Sequence, residues 1–286
     1  LDVAENNRNI CDAIPNGVRI SSVEDIVNGG SQNYIYIAIR RPDGYVGKPV
    51  EDATKVFAMD TGNGNNNIPA YDSGFPVDFM LEKLPTSNQN WYASSRLSGD
   101  KFLYTNSSAA QVNGSGDYVF DSNVGAIKGS WTNNHQAWMW KRQAGFDVVT
   151  WSGDGVSGRQ MPHSMGITPE MMWVKRRSNS EDWTVYHYGQ NGGTNPEQYR
   201  LRLNSTVMNY TGTSYWNNTL PTSTHFTVGA DGTVNNNGDT FIGMLFASVE
   251  GVSKVGYYTG TGSSGNEQTV GFTPRFVIIK RTDSTA

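Results

Sequence analysis

The stretch that decides the fold is Gly166-Ile-Thr-Pro-Glu-Met-Met-Trp-Val-Lys175, in which a glycine and a nearby proline lead into an apolar run that ends in lysine. Residues 74–83 and 271–280 follow the same scheme, and the lysine stands nine residues after the glycine in all three stretches. Eight residues past the lysine, the first two copies carry Trp91 and Trp183. Matched spacing over several anchors is more specific than any single motif, so the sequence predicts an internal repeat.

The copies also share their first and last segments. Each opens with a short β-rich stretch that runs into a Gly-x-Gly turn, and these stretches begin at Lys55, Phe146 and Lys254. Residues 133–140 and 236–246 close the two central copies, and residues 29–39 look like the end of an earlier copy. The predicted units are 1–53, the end of a preceding repeat plus a linker; 54–145, a divergent repeat; 146–253, a second repeat; and 254–286, the truncated start of a further repeat.

The pattern within a unit is that of short β-strands. Residues 183–188 alternate with the period of two expected for a pleated strand, and residues 199–204 alternate more cleanly. Asp231-Gly232 is a dipeptide that favours a tight hairpin turn, and no amphipathic helix of ten or more residues is visible. Units of about 100 residues with many short strands predict an all-β fold of tandem, jelly-roll-like β-sandwich repeats.

Composition narrows the classes of partner. Charged residues make up 17% of the chain, the formal net charge is −4, and no basic run is longer than residues 175–177. Nucleic-acid binding normally requires a basic stripe that neutralises phosphates, so we expect no nucleic-acid partner. The single cysteine, Cys11, excludes a disulfide within the chain. No stretch of eighteen apolar residues occurs, so we expect no insertion into a membrane.

Several motifs that resemble catalytic or binding sequences are better explained as turns. The segments 153–158 and 260–265 fit G-x-G-x-x-G but lead into strands rather than a helix. Pro162-His-Ser-Met-Gly166 lacks the α/β context of a nucleophile elbow. The acidic loop 231–239 lacks the central glycine and closing glutamate of an EF-hand. Glu181-Asp182 lies in a predicted turn, where a solvated acidic pair is normal. The sequence therefore predicts no catalytic residue, no cofactor site and no metal site.

Aromatic residues are the remaining candidates for a binding surface. Trp151 and Trp216 flank predicted turns, where an indole ring can stack on the apolar face of a sugar. Trp183 recurs in both copies and Trp173 lies in a predicted strand, so both are expected in the core. For Trp151 and Trp216 as well, core packing is the favoured interpretation, and glycan stacking is the alternative.

Residues 171–187 resemble a module that is common in structural and tail-fibre proteins of marine bacteriophages. Residues 241–262 are similar to the junction between consecutive modules, and residues 271–283 to the opening of the next. The resemblance is strong over 146–286 and weaker over 54–145. It implies a location on the virion surface, outside the cell, other virion proteins as partners, and a homo-oligomer, with a trimer as one form. It assigns no catalytic or binding residue.

These observations favour a non-enzymatic structural protein of the virion, such as a tail fibre or a tail-associated adhesion component. Two alternatives remain open at this stage: a carbohydrate-binding module that attaches to a host surface glycan, and a capsid decoration protein. A polysaccharide depolymerase is a further alternative, although no pair of carboxylates with the spacing that glycosidases need is evident in the sequence.

Overall fold

The computed structural model describes the backbone of residues 11–14 and 17–20, and residues 52–261, 264 and 266–282 in full. The chain divides into two units, Leu1–Pro42 and Asp43–Ala286. In the first unit, β1 (Cys11–Ile14) and β2 (Gly17–Ile20) pair as an antiparallel hairpin. The predicted end of an earlier repeat at residues 29–39 lies outside the described residues.

The first half of the second unit contains a six-stranded antiparallel sheet, which we call sheet I. The strands of this half are β3 (Phe57–Thr61), β4 (Tyr71–Asp72), β5 (Phe79–Lys83), β6 (Tyr92–Ser95), β7 (Lys101–Tyr104), β8 (Val112–Asn113), β9 (Gly125–Ala126) and β10 (Gln136–Trp140). Sheet I has the order β3-β10-β5-β6-β7-β8, and β4 pairs with β9 in a separate two-stranded ladder.

The following half contains a second six-stranded antiparallel sheet, sheet II. Its strands are β11 (Phe146–Ser152), β12 (Arg159–Pro162), β13 (Met171–Arg176), β14 (Thr184–His187), β15 (Tyr199–Arg202), β16 (Tyr210–Thr211), β17 (His225–Val228) and β18 (Thr240–Phe246). Sheet II has the order β11-β18-β13-β14-β15-β16, and β12 pairs with β17. The two halves therefore have the same strand order, strand for strand.

Strand register defines which residues of the two sheets are counterparts. Phe57 and Phe79 both lie opposite Trp140 in sheet I. Phe146 and Met171 both lie opposite Phe246 in sheet II. Phe57 is therefore the counterpart of Phe146, and Phe79 is the counterpart of Met171.

The apolar run at the end of the deciding stretch forms β13, which is buried on both faces. Met172 and Val174 point into a core cluster that sheet II shares with its ladder and α-helical turn. Trp173, between them, points into a different cluster that lies between sheets I and II. A strand covered on both sides reads as a continuous apolar run rather than as an alternation. The two sheets therefore pack face to face, and each has a further core on its outer side.

The recurring tryptophans are held by a hydrogen bond that both halves repeat. The backbone N–H of Trp91 donates to Asn106 Oδ1 at 3.1 Å, and that of Trp183 donates to Asn204 Oδ1 at 2.9 Å. The indole of Trp183 is fully buried, and its Nε1–H donates to the carbonyl of Tyr104 at 2.8 Å. The spacing seen in the sequence therefore reflects a strand entry that an asparagine fixes.

The Gly-x-Gly turns require glycine because another part of the backbone comes close. A Cβ on Gly153 would lie 2.1 Å from the carbonyl oxygen of Asn236, and one on Gly62 would lie 2.2 Å from that of Thr132. The segment 153–158 runs from β11 to β12 without a helix, so it is a turn between strands. The similar segment 260–265 lies partly outside the described residues.

One turn prediction was wrong. Asp231-Gly232 does not form a hairpin turn; it begins α1 (Gly232–Asn235), a single helical turn. The Asp231 side chain accepts a hydrogen bond from the N–H of Thr233 at 2.9 Å and so caps the helix. Elsewhere the described residues form antiparallel strands and short 3-10 turns, and the fold is all-β. Within the described residues, no helix has the length and apolar character needed to cross a bilayer.

Candidate functional site

A groove of about 460 Å³ opens on sheet I beside the edge formed by β6, β7 and β8. Its lining combines aromatic rings with short polar side chains. The lining residues are Gln89, Tyr92, Phe102, Asn113, Gly114, Ser115, Asp117, Tyr118, Trp131 and His135.

The aromatic wall of the groove is a connected set of rings. Tyr118 packs on Phe102 with ring centroids 4.7 Å apart and on Trp131 with centroids 5.7 Å apart. His135 meets the Trp131 ring edge-on at 5.5 Å. Tyr92 and Trp131 are half-buried, so part of each side chain remains open to solvent. Rings fixed in this way offer rigid apolar surface at little cost in side-chain entropy.

Polar groups at the rim hold the loop that carries them. The carboxylate of Asp117 accepts a hydrogen bond from Trp131 Nε1 at 3.0 Å, which orients the indole. The carboxylate of Asp100 accepts from the N–H groups of Gly116, at 2.5 Å, and Tyr118, at 3.1 Å. Asn113 is exposed beside them. The rim therefore combines an oriented ring with acceptors and an amide that a ligand rich in hydroxyl groups can use.

Beneath the groove lies a fully buried carboxyl group, that of Glu82. Tyr118 Oη donates to Glu82 Oε1 at 2.7 Å, and Tyr71 Oη donates to Glu82 Oε2 at 2.9 Å. Burial raises the pKa of Glu82 to about 7, against the lowering effect of the two tyrosine hydrogen bonds. Desolvation and the neighbouring carboxyl raise the pKa of both tyrosines, which keeps them protonated as donors.

The same place in sheet II is built from different residues. Glu82 and Tyr92 lie opposite each other in sheet I, and Val174 and Thr184 do so in sheet II. The counterpart of Phe102 is Arg200, whose guanidinium lies 4.3 Å from the centroid of the Tyr215 ring. Because sheet II adopts the same strand order with valine in place of glutamate, the buried carboxyl of sheet I is not a requirement of the fold.

Trp151 and Trp216, the two candidates for glycan stacking in the sequence, are core residues. Trp151 is 6% exposed and Trp216 is 1% exposed. The Trp151 ring stacks on Phe241 with centroids 5.5 Å apart, and the ring of Trp216 meets Tyr186 edge-on at 5.8 Å. Neither indole has a face open to a sugar. Both residues flank turns along the chain, but the turns fold back over them.

The serine of the elbow-like segment is held by a carboxylate rather than by a histidine. Ser164 donates its N–H to Asp147 Oδ2 at 2.8 Å, and its Oγ lies 3.3 Å from the same oxygen. Asp147 is fully buried and also accepts from Arg142 Nε at 2.5 Å. The ring of His163 points elsewhere, with Nε2 3.1 Å from the carbonyl oxygen of Thr222. The arrangement fixes a loop and does not place the histidine on the hydroxyl.

The acidic loop that resembles a calcium site is held by side-chain partners. Asp239 accepts hydrogen bonds from Ser178 Oγ and Asn179 Nδ2, both at 2.6 Å, and forms an ion pair with Arg176. These partners, led by Ser178, lower the pKa of Asp239 to about 2. Among the described residues, no group of three or more His, Cys, Asp or Glu side chains is placed to hold a metal ion.

The groove residues were missed at the sequence level, and one signal was available. Glu82 is an acidic residue inside the apolar run of β5, where the corresponding position of the second copy is Val174. A charged residue in a strand that is otherwise buried marks a position with a specific partner. The partners themselves, Tyr71 and Tyr118, come from distant parts of the chain.

A comparison with protein families matches residues 128–286 to a model described as a domain of unknown function (DUF7483). The match begins before β10, includes sheet II and continues to Ala286. No curated protein and no solved structure gives a significant match to the chain.

Proposed function

The chain belongs to the family described as a domain of unknown function (DUF7483), a description that names no activity, and we propose that it is a non-enzymatic structural protein of a bacteriophage particle. In this proposal it is a tail fibre or a tail-associated adhesion component on the virion surface. It consists of tandem, jelly-roll-like β-sandwich modules at 54–145 and 146–253, preceded by the end of one module and followed by the start of another.

The observation that carries the proposal is the identical strand order of sheets I and II, including the ladders β4–β9 and β12–β17. A scaffold repeated along one chain spans distance and presents different loops at equivalent places, which suits a fibre or a surface layer. The resemblance of residues 171–187 to modules of marine phage structural proteins supports the virion location. Other virion proteins and further copies of the chain are the proposed partners.

Immunogold electron microscopy of intact particles from the source tests this proposal. An antibody raised against residues 146–253 should label the tail tip or fibres. Label spread over the capsid would reassign the protein to capsid decoration. Particles that carry no label would overturn the virion location. Release of reducing ends from host envelope polysaccharide by the purified chain would overturn the non-enzymatic part.

A second function, binding of a host surface glycan, is favoured by the groove on sheet I. Its half-buried rings, Tyr92 and Trp131, suit the apolar face of a sugar, and Asp117 and Asn113 lie beside them for hydroxyl groups. Pockets that bind small ligands combine apolar walls with a few polar groups in this way.

Isothermal titration calorimetry with host polysaccharide fragments tests whether the groove binds a glycan. Trp131→Ala should abolish saturable binding, and Tyr258→Ala, at an exposed ring outside the groove, should leave it unchanged. Near-ultraviolet circular dichroism checks that each variant is folded. Absence of binding by the unmodified chain, or equal loss in both variants, would overturn glycan binding in the groove.

A further inference from the structure

The same backbone contact links each module to the next one along the chain. Leu103 and Leu201 hold the same register position, and Gln111 and Asn209 each stand eight residues further on. The N–H of Gln111 donates to the carbonyl of Arg177 at 2.9 Å. The N–H of Asn209 donates to the carbonyl of Thr282, also at 2.9 Å.

The lysines of the repeat reinforce this junction. Arg177 and Thr282 each stand two residues after a lysine of the repeat. Lys175 Nζ donates to the carbonyl of Ser108 at 3.3 Å, in the loop after β7 of the first module. Lys280 Nζ donates to the carbonyl of Ser205 at 2.5 Å, in the equivalent loop of the second module. The start of the third module therefore sits on the second as the second sits on the first.

A second repeated contact involves aromatic rings. Phe146, in the first strand of the second module, packs on Phe79 of the first module with centroids 5.7 Å apart. Phe57 is the counterpart of Phe146, and it packs on Phe276 with centroids 6.4 Å apart. Phe276 stands four residues before Lys280, as Phe79 stands four residues before Lys83. The Phe57–Phe276 contact between the first and third modules is therefore equivalent to the Phe146–Phe79 contact between the second and first modules.

These two contacts give a cyclic order. In a straight row, the third module would touch only the second. Here residues 276–282 touch the second module through Lys280 and Thr282 and touch the first through Phe276, which also contacts Trp140 at 5.5 Å. We propose that three modules form a closed ring around a shared apolar centre to which each contributes the same position, namely Phe79, Met171 and Phe276. This inference rests on the modular architecture proposed above but not on the virion location.

The third place of the ring is open in the described part of the chain. Val277, Ile278 and Ile279 are 62%, 49% and 68% exposed, whereas their counterparts in β13, residues 172–174, are at most 3% exposed. In β13 these side chains are buried in the core clusters on the two faces of sheet II, and β14 and β18 flank the strand. No strand flanks residues 276–280 within the described residues. The occupant that fits this place is a complete third module, because residues 254–282 have the spacing of the first part of one.

The face of the first module that looks toward this place is also open. Met59 is 39% exposed, and its counterpart Val148, which the first module covers, is 1% exposed. A complete third module would cover Met59 in the same manner. The exposed apolar segment 277–279 and the exposed apolar residue Met59 on the sheet face match the two surfaces that ring closure buries.

A double-mutant cycle in the 286-residue chain tests the contact that closes the ring. Phe57→Ala, Phe276→Ala and the double variant are compared by urea unfolding. An aromatic pair in contact should change the unfolding equilibrium constant cooperatively, by about 2- to 10-fold beyond the product of the single effects. The pair Phe57→Ala and Val277→Ala, which removes an exposed side chain, should be multiplicative. Phe57→Leu replaces Phe57→Ala if the alanine variant does not fold. No coupling between Phe57 and Phe276 overturns the ring.

Completing the third module tests the shape. Residues 178–253 appended after Thr282 supply counterparts of β14–β18. Small-angle scattering distinguishes three modules in a triangle from three modules in a row. At the same spacing between neighbouring modules, the spacing adds about half as much to the squared radius of gyration in the triangle as in the row. A compact particle in which hydrogen exchange protects residues 276–280 supports the ring. A row-like particle, or unprotected residues 276–280, overturns it. Ile278→Asp should abolish that protection in the extended chain and leave the original chain unchanged. Neither result depends on where the protein sits on a particle.

Discussion

Replacing Glu82 with glutamine tests whether the carboxyl group beneath the groove takes up a proton near neutral pH. Burial raises the pKa of Glu82 from its ordinary 4.5 to about 7. A pKa difference of this size corresponds to about 3 kcal/mol between the folded and unfolded states. Glutamine keeps the shape and two hydrogen-bonding atoms for Tyr71 and Tyr118, but it cannot ionise.

The sign follows from proton binding. Below pH 4.5 the carboxyl is protonated in both the folded and unfolded states, so its contribution to stability is fully present. Between pH 4.5 and about 7 the folded state holds the proton and the unfolded state releases it. The free energy of unfolding of the unmodified chain should therefore fall, relative to Glu82→Gln, by about 3 kcal/mol over that range and then stay level.

The assay is urea unfolding at a series of pH values from 4.5 to 8, followed by tryptophan fluorescence. The quantity of interest is the difference in the free energy of unfolding between the two proteins, because other titrating groups cancel in it. Glu250→Gln, at an exposed position, is the matched control and is measured over the same pH series. A constant difference for Glu82→Gln, or one of the opposite slope, would refute the argument that desolvation outweighs the two hydrogen bonds.

Three further changes have expected outcomes. Burial lowers the pKa of Lys175 to about 8, so the unmodified chain should gain about 3 kcal/mol over Lys175→Met between pH 8 and 10.5; a flat difference in urea unfolding would contradict this. Asn204→Ala removes the acceptor for the backbone N–H that precedes β14 and should lower the free energy of unfolding by about 1 kcal/mol, seen as a lower urea midpoint. Gly153→Ala places a Cβ 2.1 Å from a carbonyl oxygen and should cost about 1–3 kcal/mol, whereas Gly256→Ala, with nothing within 4 Å, should leave the melting temperature unchanged. Equal melting temperatures for the two alanine variants would refute the steric argument.

The strand β13 and the recurring tryptophans were predictable because their signals are local or strictly spaced. A run of apolar residues between a proline and a lysine specifies one buried strand, and the tryptophan follows at a fixed distance. The asparagine that holds Trp183 lies only 21 residues further along the chain. All-β character follows from such short elements, because every strand is punctuated by glycine or a polar turn.

The groove was not predictable because its residues meet only after the sheet has formed. Tyr118, which donates a hydrogen bond to Glu82, lies 36 residues away in the sequence, and no pattern of residue spacing predicts this contact. The sequence alone left glycan stacking open for Trp151 and Trp216, which are buried, for a related reason. The Trp151 indole donates to the carbonyl of Val234, 83 residues away, and such a fold-back over a turn is invisible in the local sequence.

The start of α1 illustrates a different limit. Asp-Gly favours a hairpin turn, but an aspartate before a helix is an equally good cap, and the two outcomes share one local sequence. The surrounding chain decided between them: Val234 is fully buried in the core of sheet II, which a helical turn at this place allows.

The asparagines that hold the strand entries have a practical consequence for producing the protein. Asn106-Ser-Ser and Asn204-Ser-Thr are both acceptor sequences for N-linked sugars. The Nδ2 atom of Asn204 donates to Asp182, and that of Asn106 donates to Asn90. A eukaryotic secretory host that attached a glycan to either nitrogen during synthesis would place a bulky group at a strand entry before the chain has folded. Bacterial expression avoids this modification. In a eukaryotic host, Ser108→Ala and Thr206→Ala remove the two acceptor sequences and leave both asparagines in place.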